Sequence, residues 1–105
     1  AADVWVCSVG KGGALRLRWG IAAELRAAGV RAGACASDDA GLAEQMDEAR
    51  RNGAMYAVVA KDRTLAATGA VRVRDLAATV RTETDVARAA LAKYFAFLSG
   101  GGGGG

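Results

Sequence analysis

A short apolar run, Val4-Trp5-Val6-Cys7, stands near the start of the chain between Asp3 and a glycine-rich stretch. An apolar run bounded by turn residues is the pattern of a strand covered on both faces, and it predicts a strand near 3–8. Gly10-Lys11-Gly12-Gly13 then predicts a tight loop, because glycine lets the backbone turn sharply and approach whatever lies above the strand end. From Ala14 to Ala28 the period changes. Leu17, Ile21, Leu25 and Ala28 recur at helical spacing with Ala22 beside them, and Gly29 stands where a helix-ending glycine belongs. Val30 to Cys35 reads as a second strand. A second helix is expected over Ala40 to Asn52, with Ser37, Asp38 and Asp39 as candidate N-caps and Leu42, Gln45, Met46 and Ala49 as its inner stripe. Met55 to Ala60 is a third apolar run.

After Lys61 the pattern alternates. Val71 and Val73 fall on one face of a strand near 70–76, with Arg72 and Arg74 on the other. A partner strand is expected at 80–86 after a turn at Ala77-Ala78-Thr79. A last helix, Ala87 to Leu98, offers Leu91, Tyr94, Phe95 and Leu98 to the core. The β-α-β-α-β order implies parallel strands joined by right-handed crossovers. The expected fold is therefore a three-layer α/β domain with three helices. Its five-stranded mixed sheet has the first three strands parallel in the order 2-1-3, followed by an antiparallel pair.

Composition sharpens this reading. Residues 1–99 form one domain, and the glycine run 100–105 reads as a disordered tail. Alanine supplies 26 of the residues in the 52% apolar fraction, so helices and sheet should pack closely around a modest core. The chain starts with Ala1 rather than Met, which reads as an excerpt of a longer protein. A net charge of +3 mildly favours a polyanionic partner. No apolar window suits a membrane span and no signal peptide is evident, which points to the cytoplasm. The chain has no histidine, and Cys7 and Cys35 lie far apart in predicted buried strands. They read as reduced structural thiols, and no metal site or cofactor is expected. No nucleophile stands beside a recognisable base, so any catalysis is expected outside this chain.

Several local patterns, in order, resemble a known family. They are Asp3-Val4-Trp5-Val6-Cys7-Ser8 with its glycine loop; Arg18-Trp19, Ala23-Glu24-Leu25 and Ala28-Gly29-Val30; Leu42, Glu44-Gln45 and Ala49; Val71-Arg72-Val73-Arg74-Asp75-Leu76; and Val86, Arg88 and Leu91. The chain resembles the anticodon-binding domain of histidyl-type class II aminoacyl-tRNA synthetases. It is equally similar to the histidyl-synthetase-like region of the starvation-sensing protein kinase. The resemblance implies a non-catalytic tRNA-binding module within a ligase or kinase, with a homodimer of the parent as a further possibility. The alternative is a protein-interaction or dimerisation domain that has lost RNA. One segment departs from the pattern: Ala60-Lys61-Asp62-Arg63 stands where such synthetases carry a glycine followed by acids. The segment from Cys7 to Gly13 looks closer to the kinase branch.

The candidate RNA contacts are Lys11, Gly12, Gly13, Arg18, Gln45, Arg72 and Arg74. The loop of Lys11, Gly12 and Gly13 is either a phosphate cradle at a helix start or a plain turn, and it lacks the nucleotide-binding spacings. Arg18 falls inside the apolar stripe of the first helix, where a guanidinium needs a partner: a carboxylate from another element, or an RNA phosphate. Arg26, by contrast, reads as an outer surface residue. Gln45 is a polar amide in an apolar stripe, suited to a base edge or to a structural hydrogen bond. Arg72 and Arg74 suit phosphates, or form an ordinary solvated face.

Overall fold

A computed structural model of the chain describes residues 2–11 and 14–98. Gly12, Gly13 and the glycine run 100–105 lie outside the described residues. The elements run β1 (Val4–Val9), α1 (Ala14–Ala27), β2 (Ala32–Ala34), α2 (Leu42–Arg51), β3 (Tyr56–Lys61), α3 (Asp62–Thr68), β4 (Ala70–Asp75) and β5 (Thr82–Ala87). A 3-10 turn at Arg88–Ala90 then leads into α4 (Leu91–Ala96). The strands form one sheet in the order β2-β1-β3-β4-β5. β1 is parallel to β2 and β3, while β4 is antiparallel to β3 and β5. The mixed sheet and its parallel 2-1-3 portion are as expected.

Strand alternation divides the interior in two. Val4 and Val6 of β1, Val58 of β3 and Val71 and Val73 of β4 point to one face. There they pack with Ile21, Ala22 and Leu25 of α1 and with Leu91 and Phe95 of α4. Trp5, Cys7 and Ala57 point to the other face and meet Met46 and Ala49 of α2. The Trp5 ring lies over β2, where a Cβ on Gly33 would come within 2.6 Å of it. Only glycine leaves room there, which accounts for the Ala-Gly-Ala sequence of β2. Arg26 is not the free surface residue expected. Its Nε donates to the Ala32 carbonyl at 2.6 Å, and its guanidinium lies 5.3 Å from the Trp19 ring centroid.

Three expectations need correction. There are four helices rather than three, because residues 62–68 form α3. Asp62 opens it, Leu65 is its one partly buried apolar anchor, and Gly69, at φ +73°, ends it in the left-handed conformation. Seven residues with one anchor carry too little periodicity to show as a helix. Secondly, Val80 is 74% exposed and belongs to the hairpin loop rather than to β5. Asp75 Oδ1 accepts from the N–H groups of Ala77 and Ala78, at 2.9 and 3.1 Å, and this turn delays re-entry into the sheet. Finally, α2 starts at Leu42 with Gly41 as N-cap and no side-chain cap. Ser37 is used elsewhere: its hydroxyl donates to Asp39 and its carbonyl accepts from Arg18.

Candidate nucleic-acid interface

In sheets of this kind ligands collect beyond the carboxyl ends of the parallel strands. β1 and β3 end level with each other, Val9 beside Lys61. The chain after β1 also lies tight against α3, since a Cβ on Gly10 would stand 2.7 Å from that of Asp62. A cleft of about 550 Å³ opens there, lined by Val9, Gly10, Lys11, Lys61, Asp62, Arg63 and Thr64. Lys11, Lys61 and Arg63 are exposed, and none of them has an ion-pair partner among the described residues. Three solvated cations around one carboxylate make the cleft rim attractive to anions. Gly12 and Gly13, the other members of the expected cradle, lie outside the described residues.

Lys61 and Arg63 were missed as site residues in the sequence. The signal was the basic replacement of the usual glycine-and-acid pattern at 60–63. That replacement has meaning only in the fold, where the first residue of α3 lies against the chain leaving β1.

Beneath the rim sits a polar network. Arg18 is 1% exposed and Gln45 fully buried. Arg18 Nε donates to Ser8 Oγ at 3.0 Å, and its Nη1 donates to the carbonyls of Cys35 and Ser37 at 2.7 and 3.1 Å. The carboxylate partner expected for Arg18 is absent among the described residues. Neutral carbonyls replace it, because the chain leaving β2 turns several acceptors onto one planar fork of donors. Gln45 Oε1 accepts from the Ser8 N–H at 2.9 Å, while its Nε2 donates to the carbonyls of Ser8 and Ala40 at 2.9 and 3.0 Å. Both side chains thus bind backbone. They tie the end of β1 to the segment between β2 and α2.

Arg72 and Arg74 lie on the sheet face that α2 covers only over the other strands. Across the β4–β5 ladder they stand opposite Asp85 and Glu83. Arg72 Nε donates to Asp85 Oδ1 at 3.1 Å, and its Nη1 is 3.5 Å from Glu83 Oε1. Arg74 Nε is 3.6 Å from Glu83 Oε2, and Arg81, from the hairpin, reaches the same oxygen with Nη2 at 2.8 Å. The hydrogen bond from Arg81, together with the charges of all three arginines, holds the Glu83 carboxyl below its ordinary carboxylate range. A smaller cavity of about 210 Å³, lined by Lys61, Thr64, Arg72 and Asp85 among others, borders this cluster. It shares Lys61 and Thr64 with the cleft, so basic groups run from the β1 end across to β5.

The thiols lie apart from this surface chemistry. Cys7 is fully buried and its Sγ donates to Met46 Sδ at 3.9 Å. Burial pushes its pKa up from 9.0 to about 12. Cys7 and Cys35 are free and buried, in keeping with structural thiols.

Comparison with known proteins agrees with this architecture. A family model described as "Anticodon binding domain" matches residues 3–97. Among solved structures, apo histidyl-tRNA synthetase from S. aureus superposes with a TM-score of 0.75 at 24% identity, covering 90% of this chain and 26% of that one. Histidyl-tRNA synthetase from Nostoc sp. PCC 7120 superposes with a TM-score of 0.72 at 22% identity, covering 90% of this chain and 21% of that one. No curated protein matches. The chain thus spans about a quarter of the length of the synthetases whose fold it shares.

Proposed function

The chain belongs to the anticodon-binding domain family of tRNA-binding modules, and from that premise we propose that it grips the anticodon arm through the basic rim at the carboxyl ends of β1 and β3. The observation that carries this reading is the set of unpaired cations there, Lys11, Lys61 and Arg63, around an open cleft. Phosphate contacts fix the position of the nucleic acid, and solvated cations that are not already neutralised make them at the least cost. Arg18 and Gln45 act behind this surface by holding Ser8 and the segment from Cys35 to Ala40 in place. The parent protein is a histidyl-type synthetase, acting in the cytoplasm as a homodimer, and its ligase chemistry resides in other domains. The shared fold with two histidyl-tRNA synthetases supports that parentage.

The test is a titration with unfractionated tRNA over a range of salt concentrations. The wild-type chain should bind with log K falling linearly in log salt. Replacing Lys61 and Arg63 together with glutamine should weaken binding roughly tenfold at low salt and flatten the slope by about 1.4, the share of two single-strand phosphate contacts. Absence of salt-dependent binding by the wild-type chain would overturn the reading.

A further inference from the structure

An arginine that faces an acid across a β-ladder can form a simple pair with it. The β4–β5 face is different, because Arg72, Arg74 and Arg81 all converge on the single carboxylate of Glu83. Only Arg81 bonds it at close range, with Nε at 2.9 Å and Nη2 at 2.8 Å. The separations from Arg72 and Arg74, 3.5 and 3.6 Å, are attractive but too long for charged hydrogen bonds. Arg74 is the telling member. Its side chain is only 22% exposed, and no side-chain hydrogen bond satisfies its guanidinium among the described residues. One planar carboxylate does not saturate three forked donors. A tetrahedral phosphate presents oxygens in three directions and suits them better.

We propose that Arg72, Arg74 and Arg81 form a phosphate site for the RNA backbone, with Glu83 as its resident counter-ion, which the incoming phosphate displaces. This deepens the tRNA-binding reading and rests on it. The site lies next to the cavity that shares Lys61 with the cleft, so a strand anchored at the rim continues onto it. Glu83 sets the strength of that second contact. While it occupies the arginines the site is weakened but kept assembled, and three guanidiniums stay together on one face without repelling one another. Asp85 holds only Arg72 and does not reach the other two.

The decisive variant is Glu83→Gln, which keeps the shape and removes the competing charge. Titrated with unfractionated tRNA, it should bind roughly threefold to tenfold more tightly at low salt than wild type, with a steeper salt slope because the competing charge is gone. Arg81→Gln should move both quantities the other way, and it tests the site independently if Glu83→Gln does not fold. Circular dichroism and a urea midpoint confirm that each variant is folded. A salt-dependent wild type whose affinity and slope are matched by both folded variants overturns the phosphate site and leaves the rim reading standing. Loss of tRNA binding by the wild type itself overturns the reading beneath it.

Discussion

Arg18 and Gln45 show how a polar side chain survives inside an alanine-rich core. Gln45 spends its donors and acceptor on main-chain atoms, and Arg18 divides its donors between main-chain carbonyls and the Ser8 hydroxyl, at the point where β1 ends. Gln45→Met keeps the volume but leaves the Ser8 N–H and carbonyl without partners in the interior. It should cost about 3 kcal/mol in urea unfolding, and Arg18→Met a similar amount, since unmet buried groups cost about 1–3 kcal/mol each. Arg16→Met on the exposed side of α1 should leave the midpoint unmoved. Cys7 makes a second residue-scale prediction. Its folded pKa is raised from 9.0 to about 12, so the protonated thiol favours the fold. That contribution is complete below pH 9 and is lost as pH rises towards 12. A Cys7→Ala chain should lack this part of the alkaline decline, measured as urea midpoints from pH 8 to 11.

At the scale of elements, the legible parts were those whose period repeats. The stripe Leu17, Ile21, Leu25 and the alternation Val71, Arg72, Val73, Arg74 placed α1 and β4 correctly, since each side chain's face follows from spacing alone. α3 was illegible because its single anchor, Leu65, completes no stripe. The partners of Arg18 were equally hidden, because backbone carbonyls leave no mark in a sequence. The same limit concealed the arginine cluster. The residue types were plain, yet the register that sets Glu83 opposite Arg74 exists only in the folded ladder. β2 offers the sharpest element-scale test. Gly33→Ala puts a methyl group into the Trp5 ring and should destabilise the chain by about 2 kcal/mol, typical of an overpacked core, in a urea titration. Gly41→Ala, with nothing within 4 Å of the added carbon, should cost only the weaker N-cap of α2, under about 1 kcal/mol.

For the molecule as a whole, charge is distributed by purpose. Glu24 and Arg88 make a paired contact, Nη2 to Oε2 at 2.8 Å, that ties α1 to the turn before α4. Asp3 and Arg31 make another, at 2.9 Å, at the amino ends of the strands. Exposed pairs of this kind add little stability, so cations left unpaired at the opposite end cost the fold almost nothing and stay available to a partner. The bond from Arg26 to Ala32 carries a different consequence, for solubility. β2 borders the sheet, and a border strand is a template on which other chains can stack. Here that template is three residues long, and one of its carbonyls is already occupied by a side chain lying along Trp19. Arg26→Ala would uncover both the carbonyl and the indole. Light scattering on heating should then rise at a temperature several degrees below that of the wild type, by the scale of a loss of about 1 kcal/mol. An arginine that supplies neither core nor recognition would in that way keep neighbouring copies from growing onto one another's sheets.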